Sequence, residues 1–152
     1  MSDTQDRVDA LRVLARLGRL LEAVDSGLTL PQYRVLAMII QGGVRSARLA
    51  EKLAVRRPTL TAIADGLVAA GYVARESEPG DRRVVRLHVT EAGREALRRA
   101  DEAYLAKLEP ILADTGASDR IIGDLLAIGA VLDERLRQKI TVTAEHAPEA
   151  NA

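Results

Sequence analysis

Two short runs hold the side chains best suited to gripping anions. One is Arg56-Arg57-Pro58-Thr59-Leu60-Thr61. The other is Asp81-Arg82-Arg83, with Arg86 close behind, inside the stretch ESEPGDRRVVRLHVT from Glu76 to Thr90. A guanidinium can bond phosphate as a charge or the edge of guanine as a fork. A threonine hydroxyl can bond phosphate or a base edge, and its methyl can meet the methyl of thymine. Ser46, upstream of both runs, can cap a helix and also donate to a backbone phosphate. Rival chemistries are poorly supplied. There is no Ser-His-Asp set, metal-ligand spacing or phosphate-cradling glycine loop. Cysteine is absent, which removes disulfides, thiol catalysis and thiolate metal sites. The two histidines, His88 and His146, lie far apart, and His88 has no obvious partner on its strand. No enzyme, cofactor or metal centre is expected.

The chain has 152 residues, enough for one domain with extensions and for a core that needs no staple. It is 47% hydrophobic and 29% charged, ordinary values for a soluble globular protein. No apolar run approaches the roughly 20 residues of a membrane span. The opening MSDTQDRVDA lacks a secretory pattern, so a cytoplasmic protein is expected. Net charge is zero but unevenly spread. Between Gly42 and Thr90 nine basic residues outnumber five acidic ones, and the excess reverses over the rest of the chain. Such a basic middle fits a nucleic-acid partner. With three tyrosines and no Phe or Trp, base stacking on single strands or RNA is poorly served, which favours duplex DNA.

The elements that must position these groups follow from periodicity. Apolar residues at three- and four-residue steps predict a helix from about Asp6 to Val24 and another from Leu30 to Gln41, ended by Gly42-Gly43. Ser46 is expected to cap a short helix through Leu53. After a tight connection, Pro58 opens a second helix with Leu60, Ile63, Leu67 and Val68 inward, closed by Gly71 as a left-handed cap. These two form a helix-turn-helix. YVARES and RVVRLHV then read as strands around EPGD, with Pro79 and Gly80 suited to a type II turn. Thr90 caps a helix from Glu91 to about Asp114, which Pro110 should end or kink. Ser118 caps a last helix reaching Ile140.

The expected fold is therefore mainly α: a winged helix-turn-helix with a two-stranded β-hairpin wing, flanked by N- and C-terminal helices. The first helix and the last two carry apolar stripes that so small a domain cannot cover. Packing on a second copy resolves this, so a symmetric homodimer is expected. Residues 1–29 and 91–140 would be dimerisation helices, 30–90 the DNA-binding unit and 141–152 a frayed tail.

The run SARLAEKLAVRRPTLTAIADGLVAAGYVARESEPGDRRVVRLHVTEAGREAL resembles the MarR family, the multiple-antibiotic-resistance regulators. The resemblance covers the whole chain in organisation. It is most specific at the wing, Asp81-Arg82-Arg83 followed by Leu87 and Val89-Thr90-Glu91-Ala92-Gly93. It implies a homodimer on a palindromic or pseudo-palindromic duplex, with recognition helices in successive major grooves and wings at minor grooves. It also implies transcriptional regulation, usually repression, often relieved by a small organic effector; nothing in the sequence identifies the effector or its binding residues. Two departures stand out. Many relatives have Ser where this chain has Arg56, and many have Arg where it has Ala62.

On this reading the DNA contacts are Ser46, Arg56, Arg57, Pro58, Thr59, Thr61, Arg82, Arg83 and Arg86. Either a phosphate or water can satisfy the free donors at the start of the recognition helix. Arg57 can read guanine or bind phosphate. Strand alternation places Asp81 and Arg83 on one side, pairing to stiffen the wing, and leaves Arg82 for the minor groove. The alternative is a winged-helix module that binds protein without DNA, a reading the zero net charge keeps open.

Overall fold

The computed structural model describes residues 2–40, 44–78 and 80–145. Its elements run α1 (Ser2–Glu22), α2 (Leu30–Ile39), β1 (Val44–Arg45), α3 (Ser46–Lys52), α4 (Arg57–Ala69), β2 (Val73–Glu78), β3 (Asp81–Val89), α5 (Glu91–Asp114) and α6 (Ser118–Glu145). No helix among the described residues is long and apolar enough to cross a membrane.

Local signals explain most boundaries. α2 starts with a reciprocal capping box: the Thr29 hydroxyl accepts from the Gln32 amide, and the Gln32 side chain accepts from the Thr29 amide at 2.9 Å. α4 ends as expected. Gly71 adopts φ 75°, and the Gly71 and Tyr72 amides close back on the Val68 and Leu67 carbonyls, each at 2.9 Å. α3 ends by the same double closure, with the Ala54 and Val55 amides bonding the Glu51 and Ala50 carbonyls at 3.1 Å. There the left-handed position, φ 52°, is filled by Ala54 rather than glycine. α3, this turn and α4 make the helix-turn-helix.

The wing has one strand more than expected. β2 and β3 form the antiparallel hairpin, and β1 pairs with the other side of β3, Val44 opposite Leu87 and Arg45 opposite Arg86. A strand this short has no readable alternation. It also explains a correction at Ser46. Pairing keeps the chain extended through Arg45, so Arg45 takes the N-cap position, with no side-chain bond to the helix start, and Ser46 is the first helical residue. A similar one-residue shift occurs at α6. The Ala117 carbonyl accepts the first helical bond, from the Ile121 amide, and Ser118 lies inside the helix. Pro110 does not end α5, which continues to Asp114. Ala106, whose carbonyl loses its partner there, is exposed, so water can take that bond. α6 runs on to Glu145, past the expected start of the tail. Gly42-Gly43, Pro79 and residues 146–152 lie outside the described residues.

The core sits beneath the helix-turn-helix. Val35, Leu36, Ile39, Leu49, Leu67 and Leu87 are essentially fully buried, so α2, α3, α4 and the inner face of the sheet close on one centre. α5 joins it through Ala96, Leu97, Ala100 and Tyr104. The other helical surfaces stay uncovered in the single chain: Leu11 and Leu14 on α1 are 69% and 57% exposed, and Leu126 and Leu132 on α6 are 71% and 57% exposed.

Candidate nucleic-acid interface

Leu60, Ala64 and Leu67 anchor α4 in the core. This turns Arg56, Arg57, Pro58, Thr59, Thr61, Ala62 and Asp65 outward, where all are exposed. Arg56 stands at the N-cap in extended conformation, φ −68° and ψ 146°, with no side-chain cap bond. An uncapped helix start flanked by two guanidinium groups favours an anion. Five predicted contacts, Arg56 to Thr59 and Thr61, therefore share one surface.

Arg57, Thr61 and Asp65 recur every four residues and form one stripe. The Thr61 hydroxyl donates to the Arg57 carbonyl at 2.9 Å. Asp65 accepts from Arg75 Nη2 on β2 at 2.5 Å. Arg75 is one of the nine basic residues between Gly42 and Thr90. Its bond to Asp65 ties the wing to the recognition helix. Sequence reading missed that partnership because the two residues belong to different elements.

Near the wing tip the pairing breaks register. Ser77 faces Val85, but Glu78 faces Asp81, so Arg82, Arg83 and Val84 stand in a bulge of β3. Bulges re-aim side chains and interrupt strict alternation. Gly80 has φ 93°, as the third position of the expected turn requires. The proposed Asp81–Arg83 pair, the outward Arg82 and the Ser46 phosphate contact involve side chains outside the described residues. Further down the hairpin Arg86 is half-buried and directly opposite Glu76. Glu76 Oε2 also lies 3.1 Å from His88 Nε2, so His88 has a neighbour after all, although Nε2 has no aligned hydrogen bond. The acidic Glu76 thus has Arg86 and His88 as its neighbours on the wing.

The base of the wing is held by Thr90. Its hydroxyl accepts from the Gly93 amide at 3.1 Å and donates to the Gly71 carbonyl at 2.6 Å, while its amide donates to the Tyr72 carbonyl at 3.0 Å. Gly93 presses so closely on Tyr72 that a Cβ there would overlap the Tyr72 carbonyl. Behind the site, Tyr33 on α2 donates to Asp101 on α5 at 2.7 Å and meets Tyr104 edge-on, ring centroids 4.9 Å apart. Burial, then the Asp101 bond, pushes the Tyr33 hydroxyl well above the usual tyrosine range. A cleft of about 360 Å³ lies between α2, α3 and α6, lined by Ala37, Met38, Lys52, Asp133, Leu136 and Arg137.

A helix-turn-helix with a cationic, uncapped second helix, followed directly by a hairpin with arginines near its tip, defines a winged helix-turn-helix protein. Residues 26–84 match the MarR family. It is 32% identical over 82 residues to YpoP, an uncharacterized HTH-type transcriptional regulator of Bacillus subtilis; the match spans 53% of this chain and 58% of that protein. It is similar to wild-type apo MarR from E. coli, at 25% identity and TM-score 0.68, over 84% of this chain and 96% of that one. It is also similar to the PcaV transcriptional regulator of Streptomyces coelicolor, whose structure holds its natural ligand, at 26% identity and TM-score 0.62, over 80% and 89% of the two chains.

Proposed function

We propose that this protein is a sequence-specific duplex-DNA-binding transcriptional regulator acting in the cytoplasm as a homodimer. The observation that carries the reading is the outward face of α4. Its N-terminus has no side-chain cap, and Arg56, Arg57, Pro58, Thr59 and Thr61 surround it on open surface. α4 enters the major groove, Arg57 and the threonines meet base edges or phosphates, and Ser46, Arg83 and Arg86 meet the backbone. Arg82 enters the minor groove from the wing, stiffened by Asp81 and Arg83.

Dimerisation is supported by the uncovered leucines of α1 and α6, which a second copy can bury. Two recognition helices then meet a pseudo-palindromic site. Repression, relieved by a small organic effector, is the regulatory mode we infer, supported by the ligand held in the PcaV structure. Such an effector must favour one spacing of the two recognition helices over the other.

A gel shift with DNA upstream of the protein's own gene tests the reading. Binding should fall steeply from low to moderate salt, because each phosphate contact releases counterions. Salt-insensitive binding, or none to any duplex, favours the protein-partner alternative. A thermal-shift screen of small aromatic acids, followed by loss of the gel shift, tests the effector.

A further inference from the structure

We infer that α4 selects thymine in the major groove by its 5-methyl group, through the Thr61 methyl and Ala62. The inference rests on the duplex-binding reading above and names what the centre of the helix recognises.

Three observations carry it. First, the Thr61 hydroxyl is turned back onto the Arg57 carbonyl at 2.9 Å, which uses its proton within the helix. The methyl is left as the free end of an exposed side chain. Second, the next exposed position, Ala62, also ends in a methyl. Third, the following group on the Arg57–Thr61–Asp65 stripe is a carboxylate engaged by Arg75 at 2.5 Å. The middle of the outward face therefore offers no long donor to guanine and no amide for adenine. The arginines that could supply one stand at the helix start. Short side chains also let the helix axis come close to the groove floor. In the major groove the 5-methyl of thymine is the apolar feature that distinguishes one base from the others.

The remaining lone pairs on Thr61 Oγ1 offer a competing route, accepting from adenine N6 or cytosine N4. Variants separate the two. Thr61→Val keeps a methyl and loses the oxygen; Thr61→Ser keeps the oxygen and loses the methyl.

Duplexes are enriched from a random-sequence pool with the full-length protein, then resynthesised with deoxyuridine replacing each thymine in turn. This removes only a major-groove methyl and leaves the minor groove unchanged. Enriched half-sites should share a thymine whose replacement weakens wild-type binding about 4-fold, the effect of one buried methyl. Thr61→Ser should bind thymine DNA more weakly and respond less to that replacement, the remaining response coming from Ala62. Thr61→Val should keep the full response to that replacement. Equal binding of all deoxyuridine copies by the wild-type protein overturns the inference, whatever the variants do. So does Thr61→Val losing affinity while Thr61→Ser keeps it. In both cases salt-sensitive binding to the enriched duplexes leaves the duplex-binding reading standing. If no duplex is enriched, that reading fails and this inference with it.

Discussion

Asp65 on the recognition helix and Arg75 on the first wing strand are joined at 2.5 Å, so helix and wing are tied by a charge-assisted bond as well as by the chain between them. Both side chains are substantially exposed, 56% and 40%. The pair's direct contribution to stability is therefore about 0–1 kcal/mol. Its larger effect is on geometry. Asp65→Ala and Arg75→Ala should each change the urea midpoint little. Each should weaken DNA binding, and the double variant should lose less than the two single losses added together. A gel-shift double-mutant cycle measures this; simple additivity would mean that the pair does not couple wing to helix.

Gly93 packs directly on the Tyr72 carbonyl, and Thr90 caps α5 beside it. Gly93→Ala should therefore destabilise the fold by about 1–3 kcal/mol, because backbone has to move to admit the methyl. Thr90→Ala should cost about 1 kcal/mol through the lost cap. Urea unfolding of both variants checks the order.

Ala54 holds a left-handed conformation that costs an L-residue about 1–2 kcal/mol. Ala54→Gly relieves it, and the greater freedom of glycine in the unfolded chain takes back about 0.4–1 kcal/mol. The net expectation is a gain of about 0–1.6 kcal/mol, the difference between those two ranges, read as a raised urea midpoint with unchanged slope. A lower midpoint would show that the turn is not strained.

The Tyr33 hydroxyl bonds Asp101 and is pushed above its ordinary value of 10.0. A proton held more tightly in the folded state stabilises it fully below that ordinary value. The contribution disappears as pH rises through the folded-state value. Tyr33→Phe should cost about 1–2 kcal/mol at neutral pH. The gap between variant and wild type should close only in strong alkali, as denaturation curves at successive pH values would reveal.

For the wing, Arg82→Ala should lower DNA affinity without lowering the melting temperature, whereas Asp81→Ala should lower both. Paired gel shifts and thermal melts test this. Unchanged DNA binding by Arg82→Ala removes the wing from the interface.

Much of the proposed DNA-facing surface is legible in the sequence. A helix opened by Pro58 and closed by Gly71, with Leu60 and Leu67 inward, turns Arg56, Arg57, Thr59 and Thr61 outward, because helical spacing alone decides faces. The Pro79-Gly80 signal likewise located the hairpin, and Thr90 the start of α5. Ala54 gave no warning of its left-handed turn, since alanine carries no local preference for it. β1 was too short to show a period, and Arg45 displaced Ser46 from the cap only because β3 holds β1 extended.

The sequence by itself determined the order of the helices and of the two hairpin strands and the inward faces of the helices, since these depend on neighbours a few residues away. Only the tertiary structure decided the partnerships between elements: Asp65 with Arg75, Tyr33 with Asp101, Gly93 against Tyr72 and Glu76 beside His88. Those contacts join residues brought together by packing of the whole core, and no local pattern in the chain encodes their distance.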